Sequence, residues 1–163
     1  MERTATFDTT GKYRYSLGRN WDINNNKKIV FVMLNPSTAD DDGDDPTTKR
    51  CINFAKSWGF GSLEIVNLFA YRTPKYNDLK ELTMDIAIGP ENEIHINKAL
   101  ESADKIVVAW GENCTIHKIN KSQKTKELFT LRKVYCLGTT LDGYPRHPLY
   151  IRKDKGLEVY SNF

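Results

Sequence analysis

The sequence predicts an α/β fold, a three-layer sandwich with helices on both faces of a mainly parallel central sheet. Three observations predict it. Short apolar, β-branched runs such as Ile29-Val-Phe-Val-Met-Leu34 read as strands buried on both faces. Between them lie stretches in which apolar residues return every three to four positions, the period of a helix with one face on a core. The two kinds alternate, and alternation builds βαβ units, whose strands run parallel. At 163 residues, with no repeat, low-complexity tract or linker, residues 1–163 form one domain around one core.

Taken in order, Tyr13–Leu17 is a short strand and Asn24-Asn25-Asn26 a turn before the strand Ile29–Leu34. Asp45-Pro46 starts a helix: the aspartate accepts free backbone N–H groups as N-cap, and proline suits the first helical position. Cys51, Ile52, Ala55 and Trp58 recur at helical spacing, and Gly59 and Gly61 end the helix. Leu63–Leu68 is the next buried strand, followed by a less regular segment with a short helix. Gly89-Pro90-Glu91 opens a helix with Ile96, Ala99, Leu100 and Ala103 on one face, and Glu91 and Asn92 read as its caps. Lys105–Ala109 is a third buried strand, Ser122–Leu131 a helix, and Lys133–Leu137 a fourth strand before the glycine-rich turn Gly138–Gly143. The central sheet therefore has four or five strands.

Composition narrows the function. With 39% hydrophobic and 28% charged residues, the chain is globular rather than disordered. Its longest apolar run, Ile29–Leu34, is too short to cross a bilayer, and the first residues carry no apolar core of a signal peptide. Three widely spaced cysteines, Cys51, Cys114 and Cys136, fit a reduced, cytoplasmic protein. The net charge of +3 is uneven, because Lys118, Lys121, Lys124, Lys126, Arg132 and Lys133 crowd one stretch with only Glu127 opposing them. Such a stretch steers phosphate or nucleic acid, or is simply a solvated helix face. No G-x-S-x-G, P-loop or G-x-G-x-x-G is present, so acyl transfer, ATP hydrolysis and dinucleotide redox chemistry have no positive support.

In open α/β sheets, ligands bind beyond the carboxyl ends of the strands. Those ends are Asn35-Pro36-Ser37-Thr38, Asn67–Arg72, Trp110-Gly111 and Gly138–Thr140, and polar and aromatic side chains gather there. Ser37, Thr38, Asp45 and Asn67 are candidate binding groups on this rim. Arg50 and Arg72 can clamp a phosphate or carboxylate, or pair internally with the run Asp40–Asp45. That run also raises the question of a metal. With Gly43 in the glycine position of a calcium loop, Thr38 and Lys49 fall where ligands belong, so the calcium pattern fails. Magnesium on one or two of these carboxylates competes with a solvated loop whose last residue caps a helix. Cys114 and His117 have no second pair to complete a zinc site, and His95 sits within a helix. No cofactor is expected.

The strings NPSTAD (35–40), DDPTTKRC (44–51), NLFAYR (67–72), GPEN (89–92), AWG (109–111) and PRHPLY (145–150) resemble, in this order, the bacterial and phage domain-of-unknown-function family sixteen forty-three, across nearly the whole chain. That family lends no activity. A more distant resemblance is to the uracil-DNA glycosylase superfamily, whose first motif reads G-x-N-P-G in some branches and whose second begins H-P-S-P. Here Leu34-Asn35-Pro36-Ser37 follows a buried strand, His147-Pro148-Leu149-Tyr150 lies near the end, and Trp110-Gly111 also looks like that superfamily. The resemblance implies that fold, with Asn35 positioning a water and His147 facing the leaving base. Asn35 stands where the most active branches have a carboxylate, and the second motif here lacks its serines.

Hydrolysis of an N-glycosidic bond passes through an oxocarbenium-like sugar, and needs a held water, a group that takes up charge on the departing base, and a stacking surface. Asp40 or Asp45 can assist Asn35, and Phe69, Tyr71 or Trp110 can stack. Against this, Asn35-Pro36-Ser37 is also a plausible strand-ending turn. Three functions are therefore carried forward: recognition of a nucleobase, nucleotide or nucleic acid with N-glycosidic hydrolysis; a non-catalytic binding or regulatory module with the same pocket, favoured by the weak basicity of Asn35; and a magnesium-dependent hydrolase. The membrane is not an expected partner.

Overall fold

The structure is a computed structural model that describes residues 1–37 and 39–163, so Thr38, one of the candidate binding residues, lies outside the described residues. Among the described residues one seven-stranded sheet forms, from β1 (Glu2–Phe7), β2 (Arg14–Asn20), β3 (Lys28–Met33), β4 (Ser62–Asn67), β5 (Lys105–Val108), β6 (Tyr135–Cys136) and β7 (Glu158–Val159). The spatial order is β1-β2-β4-β3-β5-β6-β7.

The centre β4-β3-β5-β6 is parallel, as the alternating pattern predicts. The flanks correct that expectation: β1 on β2, β2 on β4 and β7 on β6 are antiparallel, so the sheet is mixed rather than mainly parallel. For β1 and β2 the cause is local connectivity. A short loop joins β1 to β2, and strands joined this way have no room for a crossover helix and pair antiparallel. β1 and β7 escape the sequence pattern because their residues are largely exposed at the sheet's edges and carry no apolar run.

Alternate residues of β3 feed two separate cores. Ile29 and Phe31 pack on one face with Cys51, Phe54 and Ala55 of α1 (Pro46–Ser57); Val30 and Val32 pack on the other with Ile96, Ala99 and Leu100 of α4 (Asn92–Ser102). The strand is buried on both faces, which is why its sequence is continuously apolar. Between β4 and α4 lie two short helices, α2 (Asp78–Glu81) and α3 (Met84–Ile88). After β5 come 3₁₀ turns within Glu112–Lys121, kinked at Ile116–Lys118, and α5 (Gln123–Phe129), with Ser122 as its N-cap.

Helix starts follow the expected chemistry at α1. Asp45 accepts the Thr48 N–H at 2.7 Å, and Pro46 occupies the first turn. At α4 the capping expectation is corrected: Glu91 makes no side-chain cap bond. Asn92 instead turns inward, fully buried, and donates to the carbonyls of Asn67 at 2.8 Å and Leu68 at 3.2 Å, fixing the backbone at the end of β4. The three cysteines are buried and unpaired. Among the described residues no helix is long and apolar enough to cross a membrane.

Candidate functional site

Beyond the carboxyl ends of β3, β4 and β5 lies a cavity of about 440 Å³. It draws residues from across the chain: Asn35 and Ser37 after β3, Asp45 at the start of α1, Asn67 at the end of β4, Trp110 after β5, and His147. Asn35 and His147 are 112 positions apart (147 − 35) yet line the same space. Met33, Leu34 and Ile65 give it apolar walls, and Tyr76, Leu149 and Tyr150 stand at the wall with their side chains substantially exposed.

Asn35, Asp45 and His147 are held by identifiable bonds. The Asn35 side-chain N–H groups donate to the Thr73 carbonyl at 2.8 Å and the Pro36 carbonyl at 3.2 Å. That pairing fixes the orientation of the amide, and among the described residues Oδ1 accepts no hydrogen bond. Asn35 is thus both a strand-end brace and a cavity group. Asp45 is tied by its cap bond to α1 and by the Ser37 hydroxyl, which donates to Oδ2 at 2.8 Å. Burial raises its pKa, but the bonds from Thr48 and Ser37 and the nearby Arg14 guanidinium outweigh burial, so the carboxyl titrates below its ordinary value.

His147 precedes the 3₁₀ turn Pro148–Tyr150, and its Nδ1 accepts the Leu149 N–H at 3.2 Å. The proton of the neutral ring therefore sits on Nε2, making that atom a donor. Burial pulls its pKa below the ordinary 6.5, and only Asp45 opposes the shift. Because the folded pKa is depressed, the unfolded chain takes up a proton more readily once the pH falls below about 6.5. Folding stability contributed near neutrality is then lost in acid. The expected result is an unfolding free energy that declines between about pH 7.5 and 5.5, with a shallower decline in His147→Gln; urea titrations at the two pH values measure it.

Arg14 is a site residue that sequence reasoning missed. A β-bulge at Tyr15, where Thr6 pairs Ser16 but Phe7 pairs Arg14, inserts one extra residue into β2. A bulge re-aims the side chains beyond it. Tyr15 stacks on His95 of α4, whereas Arg14 donates from Nη1 to the Ala39 carbonyl at 2.8 Å, on the side of the loop after β3. Arg14 is 3% exposed, lines the cavity, and its Nε has no partner among the described residues. Burial pulls its pKa down to about 10, so it stays a cation at neutral pH.

Asn67 is the most informative of the predicted residues. It is 1% exposed, lines the cavity, and among the described residues neither Nδ2 nor Oδ1 has a hydrogen-bond partner. Buried side-chain polar atoms are nearly always paired, and leaving one unpaired costs about 1–3 kcal/mol. This makes the Asn67 amide a candidate for pairing with a ligand.

Other candidates are placed elsewhere. Arg50 spends its guanidinium on the carbonyls of Pro148 (3.2 Å) and Ile151, tying α1 to the segment that carries His147; it does not line this cavity and pairs with no aspartate among the described residues. Tyr71 and Arg72 line a smaller neighbouring cleft. Trp110 reaches the cavity, but its ring is 2% exposed and packed among Phe129, Tyr160 and Phe163, so it is a wall rather than an open stacking surface. Phe69 is fully buried in the core. Tyr150, 80% exposed at the rim, supplies the accessible aromatic face, and its signal lay in the same PRHPLY string as His147.

The aspartate run divides into separate structural duties. Asp40 Oδ1 accepts the N–H groups of Asp42 and Gly43, Asp44 pairs with Arg19 at 2.7 Å, and Asp45 caps α1. Among the described residues no three His, Cys, Asp or Glu side chains are arranged to share a metal ion. The basic stretch of residues 118–133 lies outside the cavity, and Lys124 there approaches Asp85 at 3.9 Å.

No curated protein and no solved structure matches this chain. The family model described as Protein of unknown function (DUF1643) matches residues 14–149, a span that runs from the buried Arg14 through Asn35, Asn67 and His147 to Leu149, and the chain belongs to that family.

Proposed function

We propose that this protein recognises a nucleobase, carried by a nucleotide or nucleic acid, in the cavity at the strand ends. The observation that carries the reading is the buried carboxamide of Asn67, unpaired at both ends. A carboxamide offers a donor and an acceptor side by side. Nucleobase edges present the complementary pair, and a ligand with only one kind of group leaves half the amide unsatisfied. The volume suits a nucleoside-sized ligand, and the apolar walls with Tyr76 and Tyr150 at the rim suit a flat aromatic ring. The resemblance to the uracil-DNA glycosylase superfamily supports the same reading, since the Asn35 and His147 segments that carry it share this cavity.

A reaction follows from two further atoms. Asn35 Oδ1, which accepts no bond among the described residues, is an acceptor able to orient a water, and His147 Nε2–H is a donor able to stabilise negative charge on a departing base. In N-glycosidic hydrolysis the water adds to the sugar C1′, the C1′–N bond breaks, and its electron pair leaves with the base. The water's proton passes to a carboxylate, for which Asp45 is the candidate in the cavity. One observation favours binding without turnover: both Asp45 oxygens already accept hydrogen bonds and its pKa is lowered, which makes it a poor base.

Incubation with oligonucleotides bearing uracil or modified bases separates the readings. Base release lost in both Asn35→Ala and His147→Ala establishes hydrolysis. Tight binding with no release leaves a recognition module. Absence of both turnover and binding overturns the proposal.

A further inference from the structure

A second concavity adjoins the cavity and shares Ser37, Thr73 and Pro74 with it. This cleft, of about 310 Å³, is otherwise formed mainly by Lys12, Tyr71 and Arg72, so both charged groups on its walls are cations. Arg72 is braced rather than neutralised. Its Nη1 donates to the Gly11 carbonyl at 3.0 Å, and its guanidinium lies 4.5 Å from the centre of the Phe7 ring. That bond uses one of five N–H donors, and among the described residues neither Arg72 nor Lys12 forms an ion pair. On the cavity side of the shared wall stands the buried Arg14, close enough to Arg72 for the two charges to repel.

The carboxylates nearby are already occupied. Asp40, which feels the charge of Arg72, accepts the N–H groups of Asp42 and Gly43. Asp45, which faces Arg14, caps α1 and accepts the Ser37 hydroxyl. Asp78 is occupied too, accepting the Thr73 hydroxyl at 2.7 Å. Three cations and three carboxylates thus surround the Ser37–Thr73 wall, but the charged groups that line the cleft itself are Lys12 and Arg72. A forked, braced guanidinium beside a flexible ammonium is the chemistry that holds phosphate.

We infer that this cleft is the phosphate subsite of the ligand whose base meets Asn67: the base lies in the cavity, the sugar crosses the Ser37–Thr73 wall, and the phosphate sits between Lys12 and Arg72. The inference rests on the base-recognition reading and narrows it to a phosphorylated nucleoside. The phosphate belongs either to a free nucleotide or to a nucleic-acid strand.

The test is calorimetric titration of the full chain with inorganic pyrophosphate, a panel of nucleosides, their 5′-monophosphates and triphosphates, and short oligonucleotides of the same bases. The expected result is at least tenfold tighter binding of the phosphorylated form than of its parent nucleoside. That advantage falls below twofold in Lys12→Gln combined with Arg72→Gln, while nucleoside affinity is retained; Lys12→Gln alone, at an exposed position, removes part of it without risk to folding. Asn67→Ala weakens nucleoside and nucleotide alike. The stronger of mononucleotide and oligonucleotide identifies the source of the phosphate. Equal affinity for nucleoside and nucleotide in the unaltered protein overturns the subsite and leaves base recognition standing. Pyrophosphate binding lost in Lys12→Gln, with no nucleoside bound, keeps the subsite and removes base recognition. No binding of any probe overturns both.

Discussion

Replacing Arg19 by alanine is expected to cost about 3–5 kcal/mol of folding stability, the scale for removing one partner of a buried ion pair. The Arg19 side chain is fully buried. It reaches from β2 into the loop after β3, where Nε meets Asp44 at 2.7 Å and the Nη groups donate to the carbonyls of Asp40, Gly43 and Gly18. Alanine leaves several carbonyls without donors, and a carboxylate only 10% exposed with the partly exposed Arg3, at 3.8 Å, as its remaining cation. A lysine does not restore them, because one ammonium cannot reproduce a planar fork that serves four groups at once. The loss reaches the site, since the same loop ends at Asp45 and is held a second time by Arg14 on Ala39. Urea denaturation of Arg19→Ala and Arg19→Lys measures the effect, and a change within about 0.5 kcal/mol contradicts it.

Asn67→Ala is expected to do the opposite. Its amide has no partner to lose, so removing it relieves a penalty of about 1–3 kcal/mol, partly offset by the space it leaves behind. Stability therefore stays within about 1 kcal/mol of the unaltered protein, or rises. Binding behaves differently. Two hydrogen bonds to the ligand at about 1 kcal/mol each correspond to a roughly thirtyfold loss of affinity. Asn92→Ala is the matched control: that amide is equally buried but donates to the carbonyls of Asn67 and Leu68, so its removal lowers stability by about 2 kcal/mol. Thermal and urea unfolding of both variants, beside ligand titration, reads the contrast. A destabilised Asn67→Ala that binds normally means the amide is structural.

The parts of the fold that the sequence made legible are those where one physical cause acts alone. Ile29–Leu34 had to be a central strand because both its faces meet apolar cores, and Asp45-Pro46 had to start a helix because that pair satisfies its first turn. β1 and β7 carry no such mark: their residues are largely exposed, and only pairing with β2 and β6 makes them strands. The site divides in the same way. Asn35 follows and Asn67 ends an apolar strand, so their place on one rim could be read from strand direction, whereas His147 was placed by the resemblance of its HPLY string to the glycosylase second motif. Arg14 could not, since a one-residue bulge decides which way it points. Arg50 and Trp110 carried the right chemistry, but main-chain carbonyls took the one and an aromatic core took the other.

The most direct measurement is a crystal structure of the protein with the tightest-binding nucleoside or nucleotide of the titrated panel. The expected result is the edge of the base within hydrogen-bonding distance, about 2.7–3.2 Å, of both Asn67 Oδ1 and Nδ2, with Asn35 and His147 flanking the sugar-to-base bond. A ligand seated elsewhere, with the Asn67 amide still unpaired in the occupied protein, contradicts it.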